Sequence, residues 1–214
     1  MAQGPHSPLT VPWKMKALSS AETQVERLAD GRRRYSIRHE VISGVTPAML
    51  VWWLNNMEGM CKIGDQEIPR YRGWHPRDHV ALTYVRPGLD GRRFSQGAQI
   101  RIQEFFSANL NYKIDVIDEV GFLDETGFSH RNVVAGVELA SMDYSFKEVS
   151  GGTLYENALT VGIHKPAFLA ALNAPIQALK FPEEMGRAWM THNVEEVGNL
   201  QFFLPDLYRA ERRV

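Results

Sequence analysis

The sequence contains a single cysteine, Cys61, among its 214 residues. One thiol cannot form an intrachain disulfide, and it cannot supply the several thiolates that most structural zinc sites use. A metal ion in this protein would therefore have to be held by carboxylates and by the seven histidines.

Net charge and long apolar runs are also missing. Lys and Arg number 24 against 25 Asp and Glu, a formal charge of −1. Since no net positive charge attracts a phosphate backbone, we expect no nucleic-acid partner, and the three arginines of 32–34 are typical of a solvated face. No apolar stretch reaches about 18 residues, so we expect no membrane span. Residues 1–20 contain Pro5, Pro8 and Pro12 but no apolar signal region, which favours a cytoplasmic protein.

The composition is that of a folded protein. Apolar residues make up 44% of the chain and charged residues 23%, and the length suits one full core with an interior pocket. We divide the chain into an N-terminal arm with a short helix, 1–34, and a single domain, 35–214. Ser20 is the expected cap of the short helix, over Ala21–Ala29.

The middle of the chain is predicted to be rich in strands. Turn residues such as Pro87-Gly88 and Gly151-Gly152 separate the segments, and short connections favour an antiparallel meander. The predicted strands are Tyr35–Ser43, Val80–Arg86, Ala98–Ser107, Asn111–Asp118, Asn132–Leu139, Met142–Val149 and Thr153–Ile163.

Helices are predicted before and after these strands. Thr46 and Pro47 have the residue types of a helix cap and a first helical position. A helical region over 166–179 precedes a last helix over 183–203, which should end before Pro205. Together these elements predict an α+β fold in which a curved antiparallel sheet wraps around a long C-terminal helix.

The last helix carries ionisable residues on its apolar face. His192 and Glu196 are four residues apart, in line with Trp189 and Leu200, whereas Glu195 lies near the edge of this face. A buried carboxylate is costly unless it is paired, protonated or bound to metal. The pair is therefore either half of a site for a divalent ion or a His–Glu hydrogen bond that closes over the core.

A predicted strand shows the same anomaly. Glu104 alternates with Ile100, Ile102 and Phe106, so it lies on their apolar face. The alternative interpretation is a salt bridge at the end of the strand.

A third group of candidates lies in the segment Tyr71–His79, which is dense in aromatic and imidazole side chains. His75 and His79 are both candidate ligands, although a His-rich surface loop is the plainer interpretation. His79, Glu104, His192 and Glu196 would together form a site of two histidines and two carboxylates. Such a donor set suits zinc, with iron or manganese less suited.

Three segments carry a resemblance to a known family: GVTPAMLVWWL at 44–54, YRGWHPRDH at 71–79 and HNVEEVGNLQFFLPDLY at 192–208. They resemble the family of 2,4-diacetylphloroglucinol hydrolase and its relative phloretin hydrolase, and the resemblance runs from about Tyr35 to Tyr208. It implies a Bet v 1-like, helix-grip fold.

The resemblance also implies a zinc site and substrate contacts. The ligands fall on His79, His192 and Glu196, with Glu104 as the fourth. A tyrosine eight residues before the first ligand contacts the substrate in this family, and Tyr71 occupies that place. For a second substrate-contacting tyrosine the candidate is Tyr155, while the family's further histidine could be either of two residues, His130 or His164.

The implied reaction is hydrolysis of the carbon–carbon bond between an acyl group and a polyhydroxylated aromatic ring. Tyr71 and Glu104 are the candidate catalytic residues, and the partner is a small aromatic or polyketide-like molecule. Two alternatives stay open: a metal-dependent isomerase or cyclase without hydrolysis, and a carrier of aromatic or hydrophobic ligands. Aromatic residues such as Phe202 and Tyr208 would allow a homodimer if they are exposed.

Overall fold

The computed structural model describes residues 8–212 and contains eleven β-strands in two sheets. The first seven residues of the predicted arm and the last two residues of the chain lie outside the described range. The strands are β1 (Glu22–Arg27), β2 (Arg33–Arg38), β3 (Ile42–Ser43), β4 (Met60–Ile63), β5 (Gln66–Pro69), β6 (His79–Arg86), β7 (Gln99–Phe105), β8 (Lys113–Asp124), β9 (Gly127–Val134), β10 (Val137–Val149) and β11 (Gly152–Val161).

Nine strands form one antiparallel sheet in the order β1-β2-β11-β10-β9-β8-β7-β6, with β3 paired to β11, and β4 and β5 form a separate hairpin. The run from β6 to β11 is the predicted meander. Register shifts interrupt the pairing of β6 with β7, β8 with β9, and β9 with β10. Since such irregularities bend strands, they curve the sheet and leave a concave face.

A long helix fills this concave face. The α-helices are α1 (Pro47–Asn55), α2 (Arg70–Trp74), α3 (Asn173–Lys180) and α4 (Glu183–Glu211). Buried residues of α4 extend from Met185 to Leu204, and Gly186 leaves room for the ring of Tyr35, which a Cβ would strike. The predicted α+β arrangement, a curved antiparallel sheet around a long C-terminal helix, is confirmed. None of the helices in residues 8–212 is long and apolar enough to cross a membrane.

The predicted end of the last helix before Pro205 is wrong, because α4 continues to Glu211. A proline inside a helix costs about 3 kcal/mol. Packing beyond the proline offsets this cost: Leu207 joins the core, and the ring of Tyr208 meets Trp52 edge-on at 5.4 Å.

The predicted short helix over Ala21–Ala29 is also wrong, since Glu22–Arg27 forms the edge strand β1. Its pairing with β2 places Glu22 opposite Arg38 and Glu26 opposite Arg34. These opposite charges and the β-branched residues of the segment favour a strand over the helix that Ser20 and the polar pattern indicated. The predicted domain boundary at 34/35 falls inside β2.

Two further differences concern turns. The predicted strand Asn132–Leu139 is instead the end of β9, a tight turn at Ala135 and Gly136 with φ values of 50° and 78°, and the start of β10. A turn with two positive φ angles normally shows Asn-Gly or Asp-Gly, and that signal is missing here. The helical region predicted over 166–179 is a 3-10 helix, Ala167–Leu172, followed by α3.

The predicted start of α1 is confirmed. Thr46 caps this helix, and its hydroxyl accepts a hydrogen bond from the Met49 N–H at 3.3 Å.

Candidate metal centre and cavity

Four side chains predicted as ligands lie together between the sheet and α4. His79 opens β6 and is paired in register with Glu104 of β7, and His192 and Glu196 occupy successive turns of α4. His79 Nε2 lies 3.4 Å from Glu104 Oε1 and 3.2 Å from Glu196 Oε2, and His192 Nε2 lies 3.6 Å and 3.8 Å from Glu104 Oε2 and Glu196 Oε2. The register of two strands and an i, i+4 helical pair thus bring two imidazoles and two carboxylates to one point.

Both histidines are held through their other ring nitrogen. His79 Nδ1 lies 2.7 Å from the carbonyl oxygen of Tyr71, and His192 Nδ1 lies 3.1 Å from Asp78 Oδ2. In the neutral form of the ring, an Nδ1–H that donates to such an acceptor leaves Nε2 without a hydrogen, so that this nitrogen can bind a metal. Both Nε2 atoms face the carboxylates.

One atom of this cluster is unsatisfied. His79 Nε2 is fully buried and, among the described residues, has no hydrogen bond of acceptable geometry despite the nearby carboxylates. A buried polar atom without a partner is rare and calls for an explanation, such as an ion. Two imidazoles and two carboxylates are a donor set that zinc uses in proteins, so the residues fit a divalent cation.

The pKa values reflect burial and the crowding of charges. Burial lowers the pKa of His79 to about 4 and raises that of Glu196 to about 7. Burial also acts to lower the pKa of His192, but the carboxylates of Glu104, Glu196 and Asp78 outweigh it and raise this pKa to about 9. The raised pKa of Glu196 reflects the cost of burying its charged form, a cost that a bound cation would offset.

Tyr71 borders the same cluster. Its ring stacks on His79 at 3.9 Å with an interplanar angle of 8°, and its hydroxyl donates to Glu104 Oε1. Burial, reinforced by the Glu104 charge, raises the pKa of Tyr71 well above 10. The phenol therefore keeps its proton and can act as a hydrogen-bond donor.

His75, the other candidate ligand of the same segment, lies behind the centre. Its ring stacks on His192 at 4.5 Å, its Nδ1 accepts from the Asp78 N–H at 3.1 Å, and its Nε2 lies 3.1 Å from Glu195 Oε2. Arg77 pairs with the same Glu195 oxygen at 2.6 Å. Both ring nitrogens of His75 thus have partners other than Glu104 and Glu196, and His79 is the residue that faces these two carboxylates.

Asp78 is a residue of the site that sequence reasoning missed. It is completely buried, and its carboxylate accepts from the backbone N–H groups of Ser107 (2.8 Å) and Ala108 (3.0 Å), from Arg77 Nε (2.8 Å) and from His192 Nδ1. Burial acts to raise the pKa of Asp78, but the hydrogen bonds from His192 and Arg77 and the charge of His192 outweigh it, so this pKa lies below its usual range. Ser107 and Ala108 have φ values of 56° and 52°, a conformation that aims both N–H groups at this carboxylate.

A cavity of about 260 Å³ adjoins the centre, between the sheet and α4. Tyr71, Glu104, His192 and Glu196 form part of its wall, and most of the remaining wall is apolar. At another part of its boundary lie Ile176 and the exposed Lys180 of α3. The apolar wall includes Leu54, Met57, Leu82, Phe94, Ile100, Ile102, Val116, Phe128, Met142, Leu159, Val161 and Phe181.

A second polar group lies on the sheet wall of this cavity. His130 Nδ1 is 2.7 Å from Asp118 Oδ2, His130 Nε2 is 3.3 Å from the Tyr144 hydroxyl, and Asn132 Nδ2 donates to Asp118 Oδ1 at 2.9 Å. Asp118 thus orients His130, whose other nitrogen contacts the Tyr144 hydroxyl at the wall of the cavity. Alternation along β9 and β10 could have indicated this group, because His130 shares a face with Phe128, and Tyr144 lies between Met142 and Phe146.

Tyr155, the candidate for a second substrate-contacting tyrosine, does not line the cavity. Only 2% of Tyr155 is exposed, and its ring packs against His39, Tyr144 and Phe146. Among the described residues that line the cavity, the tyrosines are Tyr71 and Tyr144.

Three other candidate residues lie away from the cavity. His164 is exposed and pairs with Asp30 at 3.0 Å, so His130 is the cavity histidine of the two that were left open. Phe202 is 44% exposed and stacks on Trp13, and Tyr208 is half-buried, so a homodimer stays a prediction.

Comparison of the sequence with known proteins finds no matching family model and no matching curated protein. Solved structures do match. Ara h 8.0201 aligns with a TM-score of 0.52 and 11% identity, over 82% of this chain and 99% of that one. A protein from Rhodobacter sphaeroides aligns with a TM-score of 0.49 and 15% identity, over 87% and 99% of the chains.

The di-domain ARO/CYC BexL from the BE-7585A biosynthetic pathway aligns with a TM-score of 0.44 and 11% identity, over 83% of this chain and half of that one. At such identities a likeness in structure concerns the fold alone. The fold of this chain is Bet v 1-like, a helix-grip fold.

Proposed function

We propose that this protein is a zinc-dependent hydrolase that cleaves the carbon–carbon bond between an acyl group and a polyhydroxylated aromatic ring. The observation that carries the proposal is His79 Nε2, a buried nitrogen without a hydrogen-bond partner among the described residues, which faces two carboxylates beside an apolar cavity. The resemblance of 44–54, 71–79 and 192–208 to the 2,4-diacetylphloroglucinol hydrolase family supports the same reaction.

The metal would be held by Nε2 of His79 and His192 and by the carboxylates of Glu104 and Glu196. When bound there, zinc supplies Lewis acidity toward the acyl carbonyl and lowers the pKa of water to about 7 in favourable sites. Iron and manganese suit this mixture of imidazole and carboxylate less well.

The difficult part of the reaction is the leaving group, a ring carbon that departs with an electron pair. Water adds to the acyl carbon, the bond to the ring breaks, and the ring carbon takes up a proton, which gives a carboxylic acid and the deacylated phenol. A keto form of the ring allows the electron pair to pass into an enolate. Tyr71 keeps its proton because of burial, and its hydroxyl, on turning from Glu104 toward a bound substrate, is suited to donate a hydrogen bond to the ring oxygen on which this charge develops.

His130 and Tyr144 are suited to hold the ring from the sheet wall. Asp118 accepts from one nitrogen of His130, and the other nitrogen lies beside the Tyr144 hydroxyl, so two polar groups face a ligand that enters the cavity. In this proposal they take the places of the second tyrosine and the further histidine that the resemblance implies. Glu104, in hydrogen-bond contact with Tyr71, links the phenol to the metal ligands.

The size of the cavity limits the substrate. About 260 Å³ is slightly below the roughly 300 to 1,000 Å³ of typical small-molecule sites. We therefore infer a substrate with one hydroxylated aromatic ring and a short acyl chain, and apolar surroundings exclude a highly charged molecule.

The test combines metal content with turnover. The purified protein should contain one zinc per chain and should release the free acid from an acylated di- or trihydroxybenzene. His192→Ala should remove both metal and activity, while the matched control His164→Ala, at an exposed histidine away from the cavity, should keep both. Full turnover by metal-free protein would contradict the proposal.

The same residues suit a second reaction class, a metal-dependent isomerisation or cyclisation of a polyketide-like substrate. Burial of the centre favours it, since Glu104 and Glu196 are 9% and 6% exposed and apolar walls limit the access of water. Product analysis separates the two classes: only hydrolysis releases a carboxylic acid and incorporates oxygen from labelled water.

A carrier of aromatic ligands is the third class, and it would not require the inward-facing Glu104 and Glu196. Elemental analysis distinguishes it, because a carrier should bind an aromatic ligand without stoichiometric zinc.

A further inference from the structure

A row of polar side chains leads through the core from β2 toward the candidate metal centre. His39 follows β2, Asn157 lies on β11 and Asn193 on α4, and they are 6%, 4% and 2% exposed. Polar groups at this depth are costly unless they are hydrogen-bonded. Asn193 also lines the cavity, but no residue of the row contacts His130, and the proposed reaction assigns the row no role.

The contacts of Asn193 determine how its amide is oriented. With its oxygen accepting from Trp189 Nε1 at 3.0 Å, its nitrogen lies 3.3 Å from Glu196 Oε1 and 2.5 Å from the terminal amide of Asn157. This orientation satisfies both ends of the amide, whereas the reverse one sets the Asn193 oxygen against the carboxylate.

The orientation extends to the next two residues. Asn157 then presents its side-chain oxygen to Asn193 and its side-chain nitrogen to His39. The terminal atom of Asn157 that faces His39 lies 3.1 Å from His39 Nε2. His39 must accept this hydrogen bond as a neutral imidazole, and burial lowers its pKa to about 4, which keeps it neutral.

We propose that Asn193, itself held by Asn157 and His39, is the positioning residue that sets the orientation of the Glu196 carboxylate. Because Oε1 accepts from Asn193, Oε2 is the oxygen that faces His79 Nε2 (3.2 Å) and His192 Nε2 (3.8 Å). The inference rests on the proposed function, in which Glu196 is a ligand.

With this contact, each of the four proposed ligands has an outer partner. His79 donates to the Tyr71 carbonyl, His192 to Asp78, and Glu104 accepts from the Tyr71 hydroxyl. Outer partners of this kind fix the direction of a ligand and commonly change metal affinity 10- to 100-fold when they are lost.

The experiment has two readouts. Chelator competition measures zinc affinity, and the absorption spectrum of the cobalt-loaded protein reports the geometry of the ligands. Asn193→Leu, which retains volume but cannot donate, should weaken zinc binding by about 10- to 100-fold and alter the cobalt spectrum. Asn157→Leu, one residue further from the centre, should act in the same direction with a smaller change. Asn173→Ser is the matched control, since this buried asparagine bonds to backbone groups of Ile163 and Asp30.

The control should lower the unfolding temperature of the metal-free protein without changing zinc affinity or the cobalt spectrum. If Asn193→Leu and Asn157→Leu fold and bind zinc within twofold of the parent protein, the positioning role is overturned while the proposed function stands. If the parent protein binds neither zinc nor cobalt, the proposed function is overturned and the positioning role with it. Should Asn193→Leu fail to fold, Asn157→Leu decides between the first two outcomes.

Discussion

Replacement of Asp78 by Asn tests the support behind His192. The change keeps size and shape but removes the charge and one of two acceptor oxygens. In the structure Oδ1 accepts from Arg77 and Ala108, and Oδ2 accepts from Ser107 and His192. Whichever way the new amide is turned, its NH₂ group faces two donors that have lost their acceptor.

The magnitude follows from these contacts. An unsatisfied buried donor costs about 1 to 3 kcal/mol, so we expect a loss of roughly 3 kcal/mol of unfolding free energy after local adjustment. For a chain of this length that corresponds to a fall of roughly 6 to 12 °C in Tm. Loss of the carboxylate beside His192 should also weaken zinc binding about 10- to 100-fold.

Two assays separate these effects. Thermal unfolding of the metal-free Asp78→Asn protein reports the backbone support, and chelator competition reports zinc affinity. Asp206→Asn is the matched control, because this aspartate lies on α4 with its side chain 83% exposed. A variant with the unfolding temperature of the parent protein would refute the described role of Asp78 in holding Ser107 and Ala108, and zinc affinity within twofold of the parent would refute its role behind His192.

Three further predictions concern other parts of the molecule. Burial lowers the pKa of His39 from 6.5 to about 4, so the unfolded chain binds this proton more readily than the folded one. The contribution of His39 to stability should be complete above pH 6.5 and fall by about 3 kcal/mol toward pH 4, and the urea unfolding of His39→Gln should lack this part of the pH dependence of the parent protein. Met142→Trp should fill the cavity and abolish binding of an acylated dihydroxybenzene by calorimetry at unchanged zinc content; tight binding would contradict the assigned ligand site. Thr46→Ala removes the cap of α1 and should cost about 1 kcal/mol in unfolding free energy without effect on zinc affinity, whereas equal stability would show that the cap contributes nothing.

The parts of the fold that could be predicted are those with strong local signals. Alternation and turn residues identified most strands of the meander, and Thr46-Pro47 identified the start of α1. The edge strand β1 and the turn at Ala135-Gly136 were missed, because cross-strand charge pairs and the backbone of a tight turn depend on a partner strand that local sequence does not reveal. The end of α4 was missed for the same reason, since contacts of Leu207 and Tyr208 outweigh the local effect of Pro205.

Three of the proposed ligands could be predicted from the sequence because each breaks a pattern. Glu104 interrupts an apolar strand face, and His192 and Glu196 interrupt an apolar helix face, so the cost of burying them indicates a function by itself. His79 has no such periodic signal. Its assignment over His75 depends on strand register, which places it opposite Glu104, and this register is a property of the folded sheet.

The outer partners could not have been predicted in this way, and the reason is physical. Asp78 lies in a turn and Asn157 in a strand, where polar residues are common, and neither is a ligand itself. Their importance follows from what they contact across 114 and 36 residues of chain, His192 and Asn193. A residue that acts through another residue can be recognised only when the contact between them is known. From the sequence pattern alone, only the ligands themselves can be proposed. The folded contacts extend the proposal to the groups that orient them, and those groups can be varied without removing a single donor atom from the centre.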